Sequence, residues 1–166
     1  MPIQQEELLF RPQYSYLTVR DYTLVDQPGF NQALTVAQTQ VAASNGSEIV
    51  IVCAQDTLRI RTVVYVHEDQ PACSESDEWP GRISFTLPVP TSQLHVGDAF
   101  GNAVIIDLPG PPGDFAVDIS YRGREQARAK VAETIEQFAA MPLRQGMEWL
   151  EQWSGIEEYR IDVRHI

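Results

Sequence analysis

Basic residues are the scarcest feature of this chain. Twelve Lys and Arg against 23 Asp and Glu leave a formal charge of −11, with a pI near 4.6. That balance excludes a nucleic-acid binder, which must neutralise phosphates with clustered Lys and Arg. It equally disfavours attraction to an anionic membrane surface. Cysteine is almost absent: Cys53 sits in an apolar stretch and Cys73 in an acidic one, a usage that does not describe a disulfide framework. Long apolar runs are missing too. The longest, from Ile49 to Ala54, falls far short of the roughly 20 residues of a membrane helix. The opening MPIQQEELLFRP has no positively charged segment followed by an apolar one, so it is not a secretory signal, and the cytoplasm is the expected compartment.

Catalytic signatures are also lacking. The three histidines, His67, His95 and His165, form no H-x-H or H-E-x-x-H pattern, and no C-x-x-C or G-x-S-x-G occurs. His67, Glu68 and Asp69 beside Cys73 supply imidazole, carboxylate and thiolate, but their spacing matches no ligand rhythm. A thiol among carboxylates, as Cys73 is, makes a poor nucleophile. PGPPG, residues 109–113, lacks the amide donors of a phosphate-cradling loop. Glu157 and Glu158 are neighbours on a strand and point to opposite faces. The expectation is a non-enzyme without metal or cofactor.

What is present is β patterning. The chain is 166 residues long, 43% hydrophobic and 21% charged, which predicts one globular domain over 1–166. Strands are expected over 14–22, 48–54, 57–67, 82–87, 102–108, 114–122 and 157–166. In the stretch 114–122, Phe115, Val117, Ile119 and Tyr121 alternate with polar residues. The 57–67 strand is expected to pair with 48–54 across a Gln55-Asp56 turn, and Pro88 and Pro90 are expected to stop 82–87. Residues 30–45 read either as a helix closed by Asn45-Gly46 or as a strand. Residues 124–153 read as two helices, the first with Ala127, Val131, Ile135 and Phe138 along one stripe. The fold class is therefore mainly β: an antiparallel β-sandwich with a helical insertion before its last strand.

The charge is uneven. Between Thr62 and Tyr121 nine acids (Glu68, Asp69, Glu75, Asp77, Glu78, Asp98, Asp107, Asp114, Asp118) face one base, Arg82, so this stretch holds 1 − 9 = −8 of the total. Five of the acids fall in YVHEDQPACSESDEWPG, residues 65–81. Net charge keeps small proteins dispersed; concentrated on one face, it also steers a basic partner inward. Trp79, flanked by acids and Pro-Gly, is either an exposed anchor for such a partner or a pin holding the loop to a sheet edge. Glu68, Asp69, Glu75, Asp77, Glu78 and Trp79 are thus the candidate partner-binding residues. Trp149, Trp153 and Tyr159 read as core or as the lining of a ligand pocket.

RISFTLPV, followed by AVIIDLPGPPGDFAVDISYRG, resembles the competence protein J family, as does the aromatic-rich opening strand YSYLTVRDY. The resemblance implies a small β-sandwich related to the inhibitor of the DNA-entry nuclease. The helical stretch 124–153 departs from that compact inhibitor, and no family binding residue is carried over. Together with the charge map, it implies an inhibitor or immunity-type protein that masks the basic surface of a nuclease or toxin. The alternative is a β-sandwich that binds a carbohydrate or other small molecule without catalysis.

Overall fold

Alternating apolar and polar side chains build most of the ten strands in a computed structural model of the chain, which describes residues 1–68 and 78–166. In chain order these are β1 (Gln4–Phe10), β2 (Tyr16–Asp21), β3 (Ala42–Ser44), β4 (Glu48–Val52), β5 (Ile60–His67), β6 (Gly81–Val89), β7 (Gln93–Gly97), β8 (Ala103–Asp107), β9 (Gly113–Arg122) and β10 (Glu158–His165). Helix α1 (Phe30–Gln40) lies between β2 and β3; α2 (Arg124–Ala139) and α3 (Leu143–Glu151) lie between β9 and β10. The strands form two five-stranded sheets, ordered β1-β5-β10-β9-β6 and β3-β4-β2-β7-β8, called here the first and second sheet. Pairing is antiparallel throughout except between β10 and β5.

The inward side chains of both sheets belong to one cluster. Leu17, Val19, Ile49, Ile51, Leu94 and Val96 of the second sheet join Ile60, Val64, Leu87, Phe115, Ile119, Tyr159 and Ile161 of the first, all fully or almost fully buried. Each such side chain removed from water contributes on the order of 2 kcal/mol, so this seam holds the sheets together. A smaller cluster lies on the other face of the second sheet. There Ala33 and Ala37, one helical turn apart on α1, pack on Ala43 and Val50.

Several expectations are corrected. Residues 30–45 are a helix followed by a short strand. The helix ends at Val41, whose φ of +75° reverses the chain, and Asn45-Gly46 forms the β3–β4 hairpin turn instead of a helix cap. The Asn45 side chain holds that turn by accepting from the amides of Ser47 and Glu48 at 3.0 and 2.8 Å. β5 is not the hairpin partner of β4, because the chain crosses to the first sheet at residues 53–59. Pro88 does not stop β6; it pairs in register with Asp114 on an edge strand, where a missing donor is harmless. Tyr14 lies outside β2, in a single 3₁₀ turn with φ +56°. On α2 the expected stripe holds at Ala127, which is buried, and at Val131 and Phe138, which are half-buried, but Ile135 is 60% exposed and Thr134 takes its place on the packed face.

Helices α2 and α3 sit at one end of the two sheets. Arg124 on α2 donates to the Val52 carbonyl at the end of β4, and Glu151 on α3 pairs with Arg11 and Arg59 at 2.7 and 3.3 Å.

Candidate functional site

The outward side chains of the first sheet, where the acidic segment begins and ends, are built by register. β5, β10 and β9 place Arg61, Glu158 and Arg122 in one cross-strand row, and β1 adds Glu7 nearly alongside. Arg61 binds Glu7 through two hydrogen bonds of 2.9 and 3.0 Å, and Arg122 meets Glu158 at 2.6 Å. The Arg61 hydrogen bond draws the Glu7 carboxyl below its ordinary range. Further along, Arg160 grips Asp162 bidentately at 2.7 and 2.9 Å and lies over the Tyr65 ring at 4.7 Å. Asp162 also meets His67 Nε2 at 2.7 Å, both side chains being buried. On β9, Asp118 pairs with Arg82 at 3.1 Å and accepts from the Ser84 hydroxyl. The result is a polar face on which carboxylates alternate with arginines.

The stems of the acidic segment flank this face. Glu68, exposed, follows His67, which is in register with Arg164 and so lies at the Ala116 end of β9. β6 begins at Gly81 opposite Tyr121, at the other end. The two stems therefore lie at opposite ends of the sheet and three strand spacings apart, about 14 Å sideways. Glu78 is exposed, and Trp79 is half-buried with the Arg122 guanidinium 4.6 Å from its ring centroid. The Trp79 ring is thus anchored to the sheet through a cation–π stack and still presents surface. Asp69, Glu75 and Asp77 lie outside the described residues, as does Cys73.

Beside Trp79 opens a cleft of about 760 Å³, lined by Glu78, Pro80, Tyr121, Arg122, Arg124 and Arg128 among others. Arg124, one of the lining residues, reaches from the cleft to a buried polar cluster around Glu157. Glu157, 1% exposed, accepts from the Ala54 amide at 2.6 Å, the Tyr159 hydroxyl at 2.5 Å and Gln55 Nε2 at 3.1 Å. Arg124 completes the set through Tyr159 and a 3.5 Å approach to Glu157. Burial, foremost, pushes the Tyr159 phenol and the nearby Cys53 thiol well above their ordinary values. A protonated, buried thiol is a core residue and not a nucleophile.

The remaining candidates separate. Tyr159 is fully buried core, while Trp149 and Trp153 on and just beyond α3 are half-buried, with Lys130 over the Trp153 ring at 4.0 Å. The Tyr159 hydroxyl turns to Glu157. Among the described residues no group of three or more His, Cys, Asp or Glu is placed to hold a metal ion, and no helix is long and apolar enough to cross a membrane. The arginines of the face, Arg61, Arg122 and Arg160, were not singled out in the sequence. Their outward alternation on β9 and β10 was legible; their carboxylate partners on neighbouring strands were not.

The architecture is that of a class of small, mainly β proteins built on two five-stranded sheets. Two solved structures share it over their whole length. One is ComJ, inhibitor of the DNA degrading activity of NucA, from Bacillus subtilis, with a TM-score of 0.57 and 12% identity over 100% of this chain and 98% of that one. The other is described as crocagin biosynthetic gene J, with a TM-score of 0.54 and 10% identity over 96% of this chain and 97% of that one. At these identities the likeness is one of fold. No protein-family model and no curated protein matches the sequence.

Proposed function

We propose that the chain is a single-domain, cytoplasmic protein-binding module with the sheets packed as a β-sandwich, an inhibitor or immunity-type protein without catalysis that masks the basic surface of a nuclease or toxin. The observation that carries this reading is the full-length likeness to ComJ, an inhibitor of a nuclease. The net charge of −11 supports it, because a nuclease must present cations to phosphate and a carboxylate-bearing surface competes for them. Within the module the partner meets the outer face of the first sheet. Trp79, held on Arg122, supplies the packed centre, and Glu68, Asp69, Glu75, Asp77 and Glu78 supply charge. The charge-balanced ladder beneath fixes position more than it attracts, since Glu7, Glu158, Asp118 and Asp162 each already meet an arginine.

The test is binding to the product of the neighbouring gene and inhibition of any DNA cleavage it performs, with affinity measured by calorimetry. Trp79→Ala is expected to cost at least about 2 kcal/mol of binding, the loss of a central aromatic anchor. Glu68→Lys with Glu78→Lys is expected to slow association. Absence of inhibition, or full inhibition by all these variants, removes the reading.

A further inference from the structure

The second sheet carries a cleft that this function does not use. It lies between α1, the 22–29 loop and the outward side chains of β2 and β4, and encloses about 450 Å³, within the range of small-ligand pockets. Tyr16 and Phe30 form one wall, with ring centroids 5.5 Å apart and planes tilted by 60°. Glu48 forms the floor. It is 6% exposed, and its carboxylate is partly compensated: Arg20 Nε stands 3.8 Å away, an ion pair longer than a hydrogen bond, and the adjacent Thr18 hydroxyl, which also approaches the Gly97 carbonyl at 3.5 Å, bonds the carboxylate. Arg20 is shared, its Nη1 donating to the carbonyls of Asp21, Tyr22 and Leu24 at 3.2, 3.2 and 2.7 Å. A second carboxylate, Asp26, lines the cleft from the loop, where its own φ of +53° is held.

A buried carboxylate is expensive to keep unless a donor satisfies it. Burial, foremost, pushes the Glu48 carboxyl up; the Arg20 charge and a Thr18 hydrogen bond counter this, and the Asp26 charge adds to it. The charged lining totals two acids against one base, so one negative charge remains in excess once Arg20 is set against Glu48. Carboxylates beside aromatic faces suit a group that is cationic at one end and apolar at the other.

We propose that this cleft binds a small organic ammonium ion, its charged head on Glu48 and Asp26 and its apolar body against Tyr16 and Phe30. The site is on the opposite sheet from the partner face, so it stands or falls independently of the inhibitor reading.

The probe is 2-phenylethylammonium, titrated into the full chain by calorimetry, with neutral 2-phenylethanol as the isostere. Saturable binding of the amine is expected at about millimolar concentration, as suits so small a ligand. The alcohol is expected to bind at least about tenfold more weakly, and Glu48→Gln to weaken the amine by a similar factor, the loss of a charge-assisted bond. Thermal unfolding of Glu48→Gln checks that it folds. Should it not, Asp26→Asn at the exposed loop replaces it, with an expected loss of about twofold to fivefold. No saturable binding of the amine, equal binding of the alcohol, or unchanged affinity in the folded variant overturns the proposal.

Discussion

At the scale of single residues, the most informative group is one the partner face does not contain. His95 on β7 lies in register with Arg20 of β2 and is 8% exposed, and its Nδ1 is buried without a hydrogen-bond partner. Burial, and next the Arg20 charge, lower its pKa from 6.5 to about 4. Its contribution to stability is therefore fully present above pH 6.5 and declines as the pH falls toward 4. In that window the unfolded chain takes up a proton that the folded protein refuses. The whole effect is about 3 kcal/mol, the free energy that separates a pKa of 6.5 from one of about 4. Glu48, whose carboxyl is raised, works in the opposite sense, so the comparison has to be between otherwise identical chains. His95→Gln is expected to flatten the pH dependence of urea unfolding between pH 5 and 6.5. An unchanged slope there would show that His95 gains a proton without leaving its site.

Elements were legible where two faces differ in chemistry, and obscure where they do not. β9 announces itself because Phe115, Val117 and Ile119 alternate with Asp114, Asp118 and Arg122. β7 was missed because QLHVG is only five residues long, too short a run for the alternation of Leu94 and Val96 with Gln93 and His95 to stand out. β1 was missed because QQEELLF begins as a polar edge strand. Pairing was less legible still. That β10 would run parallel to β5, bringing Glu158 to Arg61 and Arg122, is a long-range outcome of closing the first sheet. The partner candidates in 65–81 stood out by composition, but the arginine beneath Trp79 did not. The Tyr16–Glu48 cleft arises only when β2 pairs with β4 and α1 folds over them. The helical insertion has its own local requirement at Gly123, between β9 and α2, with φ +74°. A Cβ there would lie 1.7 Å from the Ile156 carbonyl oxygen, where the chain returns toward β10. Gly46, φ +97° in the β3–β4 turn, has nothing within 4 Å of its would-be Cβ. Gly123→Ala is thus expected to cost about 3 kcal/mol or more, by backbone collision added to left-handed strain, and Gly46→Ala about 1 kcal/mol, by strain alone. Urea midpoints at constant m-value measure both. Equal losses would mean that the insertion shifts aside to admit a methyl group.

For the whole molecule, the question is how a net charge of −11 acts at a distance when much of the first sheet is locally balanced. Paired charges present dipoles, whose field fades within a few ångströms in water, whereas unbalanced carboxylates add over the surface. Steering toward a cationic partner therefore depends on the excess acid and not on the ladder of Glu7–Arg61 and Glu158–Arg122 pairs. With a Debye length of about 10 Å at 0.1 M salt, that far field is screened early, while a packed aromatic centre is not. The association rate constant with a basic nuclease is accordingly expected to fall by about tenfold or more between low and high salt, with little change in the dissociation rate. Stopped-flow measurements across a salt series check this. Two variants divide the contributions. Glu6→Gln with Glu68→Gln removes two acids that no described arginine meets and should flatten the salt dependence. Glu7→Gln with Arg61→Gln deletes an ion pair at constant net charge and should leave that dependence intact. If the neutral exchange flattened the curve as much as the acidic one, attraction would reside in the local ladder, and the surplus charge would serve only to keep the molecules apart from one another.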